Sequence, residues 1–142
     1  MYGILMCFTR GEDAMRKFIL DEGDSTGHVF APTYPVPGDH LLVVERELLD
    51  PETHQKVATI TAVLTFMEVI PPNDALVLGI AEHHLSNKVK PPAKKGVISV
   101  QGSFRFSDQG PLVFSIVGGT GGYRNARGTV TLGADEFTYR VN

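Results

Sequence analysis

Five polar side chains fall in line with the apolar faces of predicted strands, and their types could do chemistry: Arg46, Glu68, Glu82, His84 and Tyr139. A lone charge on an inward face is expensive to bury. Such residues therefore sit at strand ends, where water reaches them, or pair inside, and Arg46 with Glu68 or Glu82 is the natural pair. Where Arg46 is free to donate, with Tyr139 or His84 beside it, it would hydrogen-bond a ligand carbonyl or enolate in an otherwise apolar pocket. Arg46, Glu82 and Tyr139 are thus the candidate catalytic residues, with Glu68 and His84 as candidate substrate contacts.

Other chemistries find less support. His83 and His84 are adjacent on one strand and point to opposite faces, while His28, His40 and His54 lie in or beside turns. With no His-x-His or Cys-x-x-Cys spacing, no metal site is expected. Cys7 is embedded in an apolar stretch, and no serine occupies a Gly-x-Ser-x-Gly elbow. The glycine run Gly118-Gly119-Thr120-Gly121-Gly122 suggests phosphate binding at first sight. A nucleotide loop, however, opens a helix, and here a strand pattern resumes at Gly128 with no lysine placed for a phosphate. A tight corner in an all-β fold is the better reading, and no cofactor is expected.

The elements that must position these residues read as short strands. Val97 to Phe106 alternates strictly, with Ile98, Val100, Phe104 and Phe106 on one face. Leu112, Phe114 and Ile116 continue that face, then Val130 and Leu132, then Phe137, Tyr139 and Val141. Earlier, Leu42, Val44, Arg46 and Leu48 share a parity, as do Ala58 through Phe66 and Glu68, and Leu76, Leu78, Ile80, Glu82 and His84. Strict alternation predicts that Val44, Phe66, Leu78, Ile80, Phe104, Phe106, Phe114, Leu132 and Phe137 face a common interior and contact substrate. Glu45, Thr61, Gln101, Ser103 and Thr131 would face out. Short strands are also expected over Tyr2 to Phe8 and His28 to Tyr34. Gly11 to Leu20 has helical spacing, with Met15, Phe18 and Ile19 on an apolar side that could cap the mouth of a barrel. About eight β elements in all are enough to close a small antiparallel barrel around side chains or one ligand.

At 142 residues and 42% hydrophobic content the chain fits one core. Its net charge of -3, with the basic residues scattered, argues against a nucleic-acid surface. The apolar start, Ile4 to Phe8, is too short to cross a membrane. A single cysteine and no cleavable signal segment suggest a cytoplasmic protein.

Val117 to Gly128, VGGTGGYRNARG, resembles the signature loop of the allene oxide cyclase and dirigent barrel superfamily. Gly96 to Gly102 resembles the strand preceding that loop. Gly38 to Asp50 resembles an early family strand ending in a Leu-Tyr-Asp type turn, with Leu49 in place of the tyrosine. The resemblance spans roughly Gly38 to Val141 and implies an all-β, roughly eight-stranded barrel over 28–142, with residues 1–27 as an N-terminal extension. It also implies a reaction governed by shape, in which a flexible hydrophobic molecule is folded into a reactive conformer. Length and the expected location suit the bacterial branch best, that of polyketide cyclases including the spirotetronate [4+2] type. A non-catalytic dirigent module and an isomerase of oxidised fatty acids are the alternatives. The implied partner is a hydrophobic small molecule, with self-association left open.

Overall fold

Alternating apolar and polar residues need a sheet with one dry face, and nearly every such run in this chain becomes a strand. The computed structural model describes residues 15–23 and 28–142. The strands are β1 (Arg16–Glu22), β2 (His28–Phe30), β3 (His40–Leu49), β4 (Lys56–Ile70), β5 (Asp74–Leu85), β6 (Gly96–Arg105), β7 (Leu112–Gly121), β8 (Gly128–Gly133) and β9 (Glu136–Val141). From β3 to β9 each strand pairs antiparallel with the next, and β1 lies between β9 and β3. The result is a closed eight-stranded barrel, with β2 as an extra strand beside β3. One edge of β3 thus serves two partners: β2 along Leu42 to Val44 and β1 at Leu48 and Leu49.

The helix expected over Gly11 to Leu20 is corrected. Residues 11–14, like the strand expected over Tyr2 to Phe8, lie outside the described residues, and from Arg16 the chain is β1. Phe18 and Leu20 satisfy a period of two as well as a helical one, and the open edges of β9 and β3 offer backbone partners that a lone helix lacks. Tertiary pairing overrides local spacing here. The expected mouth cap changes place with it, because Phe18 is buried and stacks on Tyr139 at 4.6 Å deep in the wall, while Met15 and Ile19 are exposed. Part of the segment expected as an extension is therefore barrel wall.

Inside the barrel, side chains form two buried groups. The larger fills one end around Leu48, Ile98, Tyr123, Val130, Tyr139 and Val141, all within 2% of full burial. The smaller, Phe66, Ala75 and Val77 backed by Leu64 and Phe104, lies toward the other end. The glycine run finishes β7, and the turn after it turns Tyr123 into the larger group, where its hydroxyl accepts the Lys94 N–H at 2.8 Å. Gly128 has a φ of 133°, and a Cβ there would collide with the Arg140 carbonyl oxygen, so this corner needs glycine. Among the described residues no helix is long and apolar enough to cross a membrane.

Candidate ligand-binding site in the lumen

Two bulges decide what faces the lumen. In β3 the register slips between Val43, paired with Ala62, and Arg46, paired with Ile60. The extra residue, with Glu45 at a φ of 55°, reverses parity, so Leu41 and Val43 point inward before the bulge and Arg46 and Leu48 after it. Arg46 faces inward as expected, but Leu42 and Val44 lie on the outer face. In β4 a second slip follows Phe66, and Glu68 turns outward, 55% exposed and 3.8 Å from Arg105. Glu68 is therefore not an interior partner of Arg46.

β5 has no bulge but is read from its opposite face. Val77, Gly79, Ala81 and His83 point inward, paired with inward residues of β4 and β6. Leu78 and Ile80 are 38% and 54% exposed, although Ile80 also borders the cavity described below. Glu82 and His84 pair with each other at 3.3 Å on the outside, so neither reaches a lumen ligand or Arg46. Alternation could not tell the faces apart because β5 carries its bulkier apolar residues outside.

The small inward residues explain a void. Ala62, Gly79 and Ala81 leave space in the middle of the barrel, and Gly79 faces Gly102, where a Cβ would come within 2.8 Å of the Phe114 ring. The space is a cavity of about 220 Å³ walled by Leu64, Phe104, Phe114, Leu132 and Phe137 among others. An apolar cavity of ~150 Å³ holds benzene, so this one takes something the size of a bicyclic ring system. Phe66 lies in the smaller buried group and meets Phe106 edge-on at 5.8 Å; Phe106 itself is 45% exposed.

Three polar groups border that space: Glu22, Arg46 and His83. Arg46 Nη2 meets Glu22 Oε1 at 2.9 Å, an ion pair that crosses from β3 to β1 where the ring closes. Arg46 Nε is buried with no hydrogen-bond partner. The expected partner, Glu68 or Glu82, is replaced by a residue that the helical reading of its neighbourhood hid. The signal was present in Arg16, Phe18, Leu20 and Glu22, which share a strand parity.

His83 is 2% exposed, and its Nδ1 lies 2.7 Å from the hydroxyl of fully buried Tyr139. Burial, and secondarily the neighbouring His84, pushes its pKa down to about 3, so the ring is neutral. Burial likewise raises the Tyr139 phenol well above its usual value. Tyr139 faces inward as expected but sits behind His83, outside the cavity lining, so it acts on a ligand only through the imidazole. Arg46 and His83 both flank Ile60 on neighbouring strands, which starts their side chains about 10 Å apart on one level of the wall. Among the described residues no three His, Cys, Asp or Glu side chains gather as a metal site.

No protein-family model and no curated protein matches the chain. Solved structures match its fold. It is similar to a pyocyanin demethylase, with a TM-score of 0.65 and 21% identity over 89% of this chain and 100% of that one. It is also similar to two pterocarpan synthase dirigent proteins, with TM-scores of 0.60 and 0.61 and identities of 15% and 14%. These cover 89% of this chain and 91% and 87% of theirs. The architecture is that of a dirigent-like barrel, the fold that the glycine-loop resemblance implies.

Proposed function

We propose that the lumen binds the reacting segment of a hydrophobic polyketide-type molecule and promotes its ring closure, up to a [4+2] cycloaddition, with the protein as a shaped, cofactor-independent template. The observation that carries this reading is the apolar cavity of about 220 Å³ with the Arg46–Glu22 pair on its wall. The volume takes a ring-sized segment rather than a full-length chain. Holding that segment as a near-attack conformer lowers the entropic part of the barrier. Arg46 adds a donor where negative charge develops on a carbonyl oxygen during bond formation. A structural neighbour named as a demethylase supports a catalytic reading of the barrel.

Incubating a linear precursor with the purified protein alone tests the reading. Faster ring formation is expected, and Arg46→Leu should lower the rate by roughly 10²–10³-fold while the barrel stays folded. A fall in stability with unchanged rate per folded molecule would confine Arg46 to neutralising Glu22. A dirigent-type binding role is the second reading, favoured by the neighbours named as dirigent proteins. It predicts no acceleration, and a changed stereochemical outcome only when a separate oxidant makes the reactive species.

A further inference from the structure

The lumen holds a side chain that is buried, polar and only half used. His83 borders the cavity from an inward position of β5, with Nδ1 engaged by Tyr139 and Nε2 without a partner among the described residues. The Tyr139 hydroxyl settles the tautomer. Among the described residues its O–H has no acceptor other than His83 Nδ1, and a buried hydroxyl that donates nowhere is costly. The hydroxyl therefore donates to Nδ1, the proton of the neutral ring resides on Nε2, and the cavity receives an N–H donor.

Charge narrows the ligand further. Arg46 and Glu22 offset one another at 2.9 Å, and His83 and Tyr139 are uncharged, so the lining carries no net charge. A carboxylate would enter an apolar space with no free cation to meet it, and an ammonium would lack a free anion. Among the described residues two nitrogens of the lining side chains have no hydrogen-bond partner, His83 Nε2 and Arg46 Nε; both are donors, and Arg46 Nε is buried away from the open space. We propose that His83, fixed by Tyr139 as the Nε2–H tautomer, is the group that recognises the lumen ligand, and that this ligand is a neutral carbonyl compound of about bicyclic size.

Tyr139 is on this account a positioning residue, and His83 is the ligand contact. The proposal rests on the lumen being the binding site and names the chemical class that it takes. It reaches a residue on the face of β5 opposite to the one that sequence alternation singles out.

Three probes of matched size test it: α-tetralone, tetralin and tetralin carboxylate, each titrated into the intact protein with the histidine ring nitrogens followed by NMR. The ketone should bind about fivefold more tightly than the hydrocarbon, the carboxylate more weakly than either, and only the ketone should move the His83 Nε2 signal. Tyr139→Phe should shift the free ring toward the Nδ1–H tautomer, seen in the same nitrogen signals, and reduce the ketone preference. His83→Leu leaves the Tyr139 hydroxyl unpaired and can cost folding, so the double variant His83→Leu/Tyr139→Phe, in which both partners become apolar, serves as the control. It should bind tetralin as before and lose the preference for the ketone. Equal affinity for tetralin and tetralone, tightest binding of the carboxylate, or a ketone preference that survives the double variant each overturns the proposal while leaving the lumen as the site. Failure of all three probes to bind overturns the lumen reading and this proposal together.

Discussion

One end of the barrel interior and its middle are built from the same alternating strands, yet the first is solid and the second hollow. At the solid end large residues meet large ones: Phe18 stacks on Tyr139, Tyr123 fills the corner made by the glycine run, and Ile98, Val130 and Val141 close the remaining gaps. In the hollow middle large residues meet glycines, as where Phe114 lies over Gly102 and Leu64 pairs with Gly79. Strand pairing fixes the spacing of the walls, so side-chain volume alone decides whether a layer is core or cavity. The polar groups follow the same division: His83 and Tyr139 satisfy one another at the boundary, and the Arg46–Glu22 pair sits where the space begins.

The sharpest way to break this contrast is to cut the same kind of hole in the solid end. Ile98→Ala should destabilise the fold by about 2–5 kcal/mol in urea unfolding, as truncation in a packed core does. A cost under 1 kcal/mol would show that this end is no better packed than the middle.

Acid probes the boundary between solid and hollow. His83 ionises near its ordinary value of 6.5 when unfolded and only at about 3 when folded, so its contribution is complete above pH 6.5 and is lost as pH falls toward 3. Between those limits stability should fall steadily with pH, because the unfolded state takes up a proton that the folded state excludes. The His83→Leu/Tyr139→Phe variant should remove that slope. Asp50 and Asp74, whose carboxyls are held low chiefly by the Thr53 backbone N–H and the Ser107 hydroxyl, lose their contributions only below the usual carboxylate range. A wild-type curve flat from pH 6.5 to 4.5 would mean that water reaches His83.

Filling the hollow layer should be milder. Ala62→Leu places side-chain volume in the cavity and should change stability by less than about 1 kcal/mol, while abolishing binding of the bicyclic probes. Retained binding would move the ligand site out of the lumen. The smallest effect is expected outside both regions: Glu52→Gln removes an exposed contact to Lys90 at 3.3 Å and should leave the unfolding midpoint unchanged within error.

How much of this was legible depends on whether a bulge falls inside the apolar run. From β6 to β9 the inward set Phe104, Phe114, Leu132, Phe137 and Tyr139 follows from parity, because the one register shift there, opposite Ser99 and Val100, comes after Phe114 and Ile116 have already been placed. The two bulges defeat the same rule in β3 and β4. One added residue in each strand puts Leu42 and Val44 in β3 and Glu68 in β4 outside, and nothing in Val43-Val44-Glu45 announces the first. β5 fails for a different reason: the residues that make a cavity are the small ones, so the face with greater bulk looks like the core. That error hid His83. Glu22 was hidden by a segment whose spacing suits helix and strand alike, with the choice made by partners more than a hundred residues away. Arg46 came out on the correct face because it lies beyond the bulge.

The seam between β1 and β3 is held by only two residue pairs, and the strand that completes the ring lies at the opposite end of the described chain from its other neighbour, β9. The barrel therefore cannot become a closed container until β9 has been made. Pairing Phe18 with Tyr139 closes a very long loop, and topologies rich in such distant contacts fold slowly. Until then the meander from β3 to β9 is an open sheet with an apolar concave face, an unpaired β9 edge and a β3 edge only partly covered by β2, the form in which a β protein is most prone to join with its neighbours. Synthesis from the N-terminus makes β1 ahead of the other described strands and leaves it waiting for β9, which follows them all.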